Sequence, residues 1–210
     1  QEALAESDFD LLVYAPSRPG QMQKHLRRAT QRGRSDGLLF LSTRVSTDIA
    51  AHLESTPQEI VLVDTEHPNF ESISVDNEKG GYRATRHHID RGHENIAHIT
   101  ADQPEPPPAQ NRRKGYERAL EEAGQSPTIA RGEKEPFAFE KRGGFRAMKD
   151  LLEREPVPDA VFCSSDMLAL GAMQALDGAG YQVPEDGAIV GFDDVDVSTH
   201  SGLTTIRQPR

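Results

Sequence analysis

The sequence predicts an α/β protein in which parallel sheets are covered by helices on both faces. Two observations predict this fold class. Short apolar, β-branched runs recur along the chain, and stretches with helical spacing separate them. Strands that alternate with helices pair in parallel, because each helix carries the chain back across the sheet. Hydrophobic residues make up only 35% of the sequence, but they cluster in these runs, so a lean core is possible.

In the first half of the chain, the predicted strands are 9–14, 36–41, 59–64 and 72–76. Helices are predicted between them at 22–32 and 47–54. A third helix is predicted to begin with Asn77 as its cap and to run to Arg91, where Gly92 stops it in a left-handed conformation. The order of elements in this half is the one expected for a doubly wound parallel sheet.

The second half repeats the pattern. The predicted strands are 95–100, 128–130, 159–163, 188–193 and 203–207, and the predicted helices are 112–123, 141–154 and 166–179. The proline-rich segment Pro104–Pro108 is predicted to be a crossover loop or a linker, because proline disrupts helices. Its position near the middle of the chain favours two lobes over one wide sheet.

Charge and composition exclude several classes of protein. The net charge of −10 and the pI near 5.3 predict a surface that repels phosphate backbones, so any contact with DNA is expected from another segment. The single Cys163 permits no intrachain disulfide and suits a reducing compartment such as the cytoplasm. No apolar run is long enough to cross a membrane, and no secretory leader opens the chain at Gln1.

Polar residues follow several predicted strands, where open parallel sheets bind ligands. Asp64, the run Ser164–Asp166 and Asp193 each end such a strand. An Asp or Ser in this position is often only the N-cap of the next helix, and capping is the stronger interpretation for Ser164–Asp166. No helix is predicted directly after Asp193, which favours a binding role for it. Arg112 is predicted to open a helix, where a cation opposes the dipole, and this placement indicates a polar partner.

Other chemistries lack support in the sequence. Nucleotide-binding glycine motifs and the nucleophile elbow of hydrolases are missing. His87 and His88 point in different directions on a helix, so a metal cluster with His93 and His98 is not expected. The carboxylate run 193–196 has no partner phosphate motif. The sequence therefore predicts no catalytic group, no metal and no cofactor.

Spaced motifs run from about Phe9 to Pro209. They are Ser74–Asn77 with Gly80–Tyr82, Arg91–Ala97, Arg112 with Gly115–Tyr116, Pro158–Asp166 with Ala169–Ala172, Val183–Asp186, Val190–Asp194 and Leu203–Pro209. Together and in this order, they resemble the effector-binding core of the LacI/GalR family of transcriptional regulators. The resemblance covers nearly the whole chain.

The resemblance implies a periplasmic-binding-protein-like fold of type I, with two doubly wound parallel-sheet lobes and a ligand between them. Residues 1–76 would form the N-terminal lobe without its first strand, residues 77–196 the C-terminal lobe, and residues 197–210 a crossover back to the N-terminal lobe. Family members begin with a helix-turn-helix domain and a hinge helix, and neither precedes Gln1. DNA binding is therefore expected only from kinship, through an N-terminal domain that is not present in these 210 residues.

The same resemblance implies a set of effector-binding residues. Arg112 and Asp193 match positions that contact effector in the family, and Ser165 matches a residue that lines the pocket. Phe139 would be assigned to the core on burial statistics alone, but it matches an aromatic residue that packs on the ligand. Asp64, at a strand end, is a further candidate. Reasoning from the residues and the resemblance agree on Asp64, Ser165 and Asp193.

The expected protein is a cytoplasmic, ligand-responsive regulator, and a repressor in particular. Its effector is expected to be a small polar molecule, with a sugar favoured over a purine or a small acid. A homodimer that binds operator DNA is expected, and Met167, Leu168 and Met173 are candidates for its interface, unless they pack on their own sheet. The alternative is an exported solute-binding protein of a transporter, which shares the fold. A sugar-modifying enzyme is a third possibility, but no acid–base pair supports it.

Overall fold

The computed structural model describes residues 8–14, 21–102, 104–132 and 139–209. Helices and strands alternate in these ranges, except that the strands at 59–63 and 71–73 follow one another without a helix between them, and every strand pairing is parallel. The predicted α/β class is confirmed. The elements that precede residue 76 are α1 Gln21–Ala29, β1 Gly37–Leu41, α2 Thr47–Glu54, β2 Glu59–Val63 and β3 Glu71–Ile73.

The remaining elements make up the larger part of the fold. They are α3 Asn77–Asp90, β4 Ile96–Thr100, α4 Pro107–Glu122, β5 Thr128–Arg131, α5 Lys141–Leu152, β6 Ala160–Cys163, α6 Asp166–Gly178, β7 Ala188–Asp193, α7 Asp196–His200 and β8 Thr204–Arg207. The strands form two separate sheets, one with the order β1-β2-β3 and one with the order β5-β4-β6-β7-β8. Because the strands within each sheet are parallel, their carboxyl ends meet at one edge of that sheet.

The five-stranded sheet is buried on both faces, and alternate residues of its strands enter different cores. Ile96 and Phe162 belong to the cluster that includes Tyr116 of α4. Their sequence neighbours Ala97 and Val161 belong to a second cluster, formed with α5 and α6. This period of two is what a sheet requires when helices cover both of its faces.

Glycines allow the helices on each face to pack backbone against backbone. A β-carbon on Gly115 of α4 would lie 2.0 Å from the carbonyl oxygen of Glu78 in α3. A β-carbon on Gly171 of α6 would lie 1.9 Å from the carbonyl oxygen of Lys141 in α5. No side chain fits at either position unless the backbones separate.

The three-stranded sheet is covered on only one face by the described residues. Phe40 and Leu62, which are direct partners in the ladder, are buried together with apolar residues of α1 and α2. On the opposite face, Leu39, Leu41 and Ile73 are 62%, 59% and 67% exposed. The first sheet therefore presents an apolar surface, which we call the open face (Leu39, Leu41 and Ile73).

Three local predictions were wrong. Residues 9–14 form no strand, because no described strand lies beside them to complete a ladder, and Phe9 and Val13 are exposed. The helix that contains Arg112 begins at Pro107, because a proline in the first turn of a helix sacrifices no hydrogen bond. Arg112 thus lies inside α4 and does not open it. Asp76 caps α3 by accepting from the Lys79 amide, and Asn77 is the first helical residue.

The end of the described chain also differs from the expectation of a crossover at 197–210. Residues 196–200 form α7, which the sequence did not predict, and β8 pairs in parallel with β7. The second sheet therefore extends through Arg207 and does not end at residue 196. Its edge strand, β8, follows β7 after the short helix α7, whereas the predicted lobe boundary placed residues 197–210 outside this sheet.

The residues of α6 that were candidates for a dimer interface divide into two groups. Leu168 is fully buried in the cluster shared with α5, and Met173 packs against the same cluster. Met167 is 39% exposed. Leu168 and Met173 therefore pack within their own core, as the alternative interpretation held.

Candidate functional site

Backbone strain is concentrated where strands end. Ser42, Asp64, Asp193 and Asp194 have φ values of 50°, 53°, 113° and 60°, and each lies at the carboxyl end of β1, β2 or β7. They are the non-glycine residues with positive φ in the described part of the chain. This conformation costs on the order of 1–3 kcal/mol per residue, and such strain clusters at functional sites. The carboxyl edges of the two sheets therefore form the candidate site.

Arg112 lies at the centre of this region and is only 5% exposed. Its Nε donates to Asn77 Oδ1 at 2.8 Å, and its Nη1 donates to the Ser164 carbonyl at 2.6 Å and to Asp193 Oδ1 at 3.2 Å. The guanidinium carbon lies 3.7 Å from the centre of the Phe192 ring. A buried arginine held by three acceptors and an aromatic face has a fixed orientation, which suits recognition of a polar molecule.

Asp193 shares this environment but reaches solvent. Its side chain is 28% exposed, and its Oδ1 also accepts a hydrogen bond from Gln208 Nε2 at 2.6 Å. Burial raises the pKa of Asp193, while the neighbouring Arg112 and Gln208 act to lower it. Burial lowers the pKa of Arg112, and the carboxylates of Asp193 and Asp64 oppose that effect. The two groups therefore compensate each other's desolvation, with the carboxylate on the solvent side.

Asp64 is joined to Arg112 through one residue. Asp64 Oδ1 accepts from the Asn77 side-chain amide and from the Val75 backbone amide, both at 3.3 Å. Asn77 in turn accepts from Arg112 through its own Oδ1. The result is a continuous polar chain, Asp64–Asn77–Arg112–Asp193, that links the carboxyl edge of the first sheet to that of the second. We call it the inter-sheet chain.

The structure thus brings together three of the five predicted residues, Asp64, Arg112 and Asp193. Sequence reasoning missed the link, because Asn77 was assigned as a helix cap. The signal that could have found it is its position: an amide side chain that starts a helix at the carboxyl edge, beside a strand-end aspartate. Gln208 was also missed, because the predicted crossover placed it away from β7.

Ser165 has a different role from the inter-sheet chain. Its Oγ accepts from the Leu168 amide at 3.2 Å, so it is the N-cap of α6. Asp166, the first residue of that helix, is fully buried. Its Oδ2 accepts from the Val195 amide at 2.9 Å and its Oδ1 from the Thr205 hydroxyl at 2.5 Å. Asp166 therefore fixes the loop that follows Asp193 against β8.

Phe139 lies just before α5 and packs, half-buried, against the apolar cluster of α5 and α6. It borders residues 133–138, which lie outside the described residues. The structure places it at the carboxyl edge of the second sheet, after β5, and it does not join the inter-sheet chain. Its packing agrees with the burial-based expectation of a core residue and leaves its contact with ligand a prediction.

A buried histidine supports the site from beneath. His98 is stacked between Tyr116 and Phe162, with ring centroids 5.0 Å and 4.7 Å away. Its Nδ1 donates to the Phe162 carbonyl at 2.9 Å, its Nε2 accepts from Ser164 Oγ at 3.2 Å, and Ser164 Oγ also lies 2.9 Å from Thr100 Oγ1. Burial lowers the pKa of His98 to about 3. The neutral imidazole thus holds Ser164, whose carbonyl accepts from Arg112.

In the ranges described above, the His, Cys, Asp and Glu side chains include no group of three that could hold a metal ion. None of the helices in those ranges has the length and apolar character needed to span a membrane.

This geometry defines a class of protein. Parallel sheets whose carboxyl edges share a polar chain around a buried arginine form a ligand-binding core of the periplasmic-binding-protein type. Residues 85–210 match the family model described as a periplasmic binding protein-like domain.

Relatives specify the family. The chain is 31% identical to a LacI family transcriptional regulator from Mycobacterium smegmatis, with a TM-score of 0.80. The match covers 99% of this chain and 76% of the other. A LacI family regulator from Enterococcus faecium, solved with bound ribose, is 30% identical with a TM-score of 0.77, over 89% of this chain and 69% of the other. The chain belongs to the LacI family of transcriptional regulators.

A curated relative is named as a repressor. The HTH-type transcriptional repressor PurR from Haemophilus influenzae strain PittEE is 36% identical over 196 residues, which are 91% of this chain and 57% of that protein. The chain therefore spans less than three-fifths of the length of this curated relative.

Proposed function

We propose that this chain is the effector-binding core of a ligand-responsive transcriptional repressor. The observation that carries the proposal is the inter-sheet chain, because it places charged and amide groups from both sheets around one buried guanidinium. Membership of the LacI family and the repressor relative support it. Contact with operator DNA would be made mainly by a segment outside these 210 residues, and the protein would act in the cytoplasm without catalysing a reaction.

We assign the effector to the gap between the two carboxyl edges, with the first lobe formed by residues up to 76 and the second lobe by the residues that follow, through Arg207. Asp64, Arg112 and Asp193 would form its polar contacts, and Phe139 and Ser165 would line the far side. The favoured effector is a sugar, since carboxylates and a guanidinium match vicinal hydroxyls. The ribose-bound relative supports this class, and purine bases are the second candidate.

The switch follows from the same contacts. A ligand that hydrogen-bonds to Asp64 and Asp193 at once favours the relative orientation of the sheets in which both are within reach. A coupling free energy of about 1–3 kcal/mol would be enough for regulation. In a two-fold dimer, that reorientation would change the spacing of the two DNA-binding segments.

A ligand screen tests the proposal. Thermal unfolding of the 210-residue chain is measured with ribose, other pentoses and hexoses, disaccharides and purine bases. A ligand at about 100 times its Kd adds roughly 2.7 kcal/mol of stability, which raises the Tm by roughly 5–10 °C for a chain of this size. Product analysis by NMR runs in parallel. Absence of any stabilising ligand, or conversion of the bound ligand to a product, would overturn the proposal.

A further inference from the structure

Positive charge is concentrated on α1 and on the turn that follows it. Residues 21–34 include Lys24, Arg27, Arg28, Arg32 and Arg34 and contain no carboxylate. The whole chain carries −10 and these five side chains carry +5, so the remaining residues together carry −15. We call these five residues the basic patch. The overall charge predicts repulsion from phosphate, and the patch is a local exception to it.

The basic patch is exposed, and the helix that carries it is anchored by buried apolar residues. All five residues are exposed, while Leu26 and Ala29 on the opposite side of α1 are buried. Lys24 lies three and four positions before Arg27 and Arg28, so these three side chains share one side of the helix. The helix is therefore held by its apolar residues and is not held by its charges.

In the part of the chain that the structure describes, none of the five basic side chains forms an ion pair with a carboxylate. Arg34 Nε donates to the Tyr14 hydroxyl at 3.0 Å. Arg27 borders a groove between α1 and α2 that is also lined by Asp48, the acidic residue that faces the patch from the neighbouring helix. The arginines of α4 differ, since Arg113 is paired with both Glu105 and Glu117.

The basic patch and the ligand site lie at opposite ends of the first sheet. The turn after α1 leads into the amino end of β1, and Thr30 in that turn accepts from Gln58, which lies just before β2, at 3.4 Å. Asp64 follows the carboxyl end of β2. Because the strands are parallel, their amino ends and their carboxyl ends lie at opposite edges of the sheet. A polyanion bound to the basic patch would therefore not block the gap between the carboxyl edges.

We propose that the basic patch contacts the phosphate backbone of duplex DNA. The inference rests on the proposed function, which brings DNA to this protein. Its chemistry is sequence-independent, because unpaired, solvated Lys and Arg side chains neutralise phosphates and release the condensed counterions. The patch adds affinity to a DNA-binding segment elsewhere and makes that affinity more sensitive to salt.

The test measures binding of the 210-residue chain to a fluorescein-labelled random-sequence duplex of about 20 base pairs by anisotropy, as a function of salt. If about four phosphates are neutralised, the logarithm of the association constant falls with a slope near −3.6 against the logarithm of salt, which is roughly 150-fold between about 50 and 200 mM. The variant K24Q/R27Q/R28Q/R32Q is expected to lose this binding. Arg28→Gln alone is expected to make the slope shallower by about 1.

The matched control removes the same number of charges elsewhere. Lys114, Arg118, Lys149 and Arg154 are exposed on or beside α4 and α5, and their fourfold Gln variant has the same net charge as the patch variant. This control is expected to keep wild-type affinity and slope. Equal losses in the two variants would show that net charge governs binding and would overturn the inference, as would unchanged binding in the patch variant or no binding by the wild-type chain.

Two further measurements separate the possible failures. The thermal shift with an effector is expected to be the same in the patch variant and in wild type, because the ligand site lies at the other end of the sheet. A wild-type chain that responds to effector but does not bind duplex overturns the inference and leaves the proposed function intact. Patch-dependent binding to polyglutamate that is tighter than binding to duplex would assign the patch to an acidic protein and overturn the DNA assignment.

Discussion

At the scale of single residues, Arg112 is the group on which the site depends. It is buried and satisfied by acceptors from three separate elements, α3, the end of β6 and β7. Replacing a buried ion pair with hydrophobic residues of similar volume often leaves a protein equally stable. The value of a cation in such a position therefore lies in its polar contacts and not in stability. Removal of the Arg112 guanidinium should therefore lower the affinity for the effector.

We expect Arg112→Met to weaken binding of the effector by about 2–4 kcal/mol, because a buried charge-assisted contact is lost. Isothermal titration calorimetry with the ligand identified by the thermal screen measures this change. Lys114→Met on the exposed side of the same helix is the control and should bind as wild type does. Wild-type affinity of Arg112→Met would remove Arg112 from the site.

Asp166 acts on the site through the backbone. Asp166→Ala should lower the free energy of unfolding by about 1–3 kcal/mol, because it leaves the half-buried Thr205 hydroxyl and the Val195 amide without their acceptor. Urea denaturation checks the value. Asp177→Ala, at an exposed position of the same helix, should change it by less than about 0.5 kcal/mol. Similar losses of unfolding free energy in the two variants would contradict the role of Asp166 in fixing the loop after Asp193 against β8.

The positions of the strand-end aspartates could be predicted from the sequence, because residues that follow parallel strands lie at the carboxyl edge of the sheet. Asp64 and Asp193 follow apolar runs, and the runs fix the edge at which they emerge. The partner of each aspartate could not be predicted. Asn77 and Gln208 meet them across gaps of 13 and 15 residues, and such pairings depend on how helices and strands dock. Ser165 shows the same limit, since a cap and a ligand contact have identical sequence patterns.

At the scale of elements, the helix pairs depend on glycine. α3 meets α4, and α5 meets α6, at points where a β-carbon would lie about 2 Å from a carbonyl oxygen. The register of Gly115 against α3 also sets the position of Arg112, which lies one turn earlier on α4. Helix packing and site geometry are therefore coupled.

We expect Gly115→Ala to destabilise the chain by about 1–3 kcal/mol, because α3 and α4 must separate to admit the methyl group. Gly178→Ala is the matched control. Gly178 also lies in a helix, at the end of α6, but a β-carbon there meets nothing within 4 Å. That change should stabilise the chain by about 0.4–1 kcal/mol through the unfolded state. Chemical denaturation of the two variants compares them, and destabilisation of the same size in both would argue against close packing at Gly115.

Element boundaries show what local rules miss. Proline was expected to exclude helix from Pro104–Pro108, yet Pro107 and Pro108 form the first turn of α4, where proline is tolerated. Residues 9–14 have the composition of a strand, yet without a described neighbour they form none. Propensity predicts a helix or strand, but tertiary neighbours decide where it begins and whether it forms.

At the scale of the whole molecule, two buried histidines make stability depend on pH. Burial lowers the pKa of His88 to about 4 and that of His98 to about 3, against 6.5 in an unfolded chain. Below pH 6.5, the unfolded state therefore binds protons that the folded state does not. The stability due to the neutral histidines is complete above pH 6.5 and is lost as the pH falls toward 4.

The free energy of unfolding should fall by up to about 2.7 kcal/mol per pH unit near pH 5, since two protons are taken up on unfolding. Urea denaturation at pH 7, 6 and 5 measures this slope. The comparison stays above pH 5 because Asp193, whose pKa is raised by burial, acts in the opposite sense at lower pH. His98→Asn should halve the slope, and an unaltered slope would show that His98 does not carry it.

The open face of the first sheet has a practical consequence for solution work. Leu39, Leu41 and Ile73 form a contiguous apolar area, and the described residues also leave the outer edge of β1 without a strand partner. Surfaces of this kind adhere to one another. Sedimentation of the 210-residue chain should therefore show reversible, concentration-dependent clustering that is strongest in high salt, where charge repulsion is screened. An L39K/I73K double substitution should keep it dispersed and improve every titration described above.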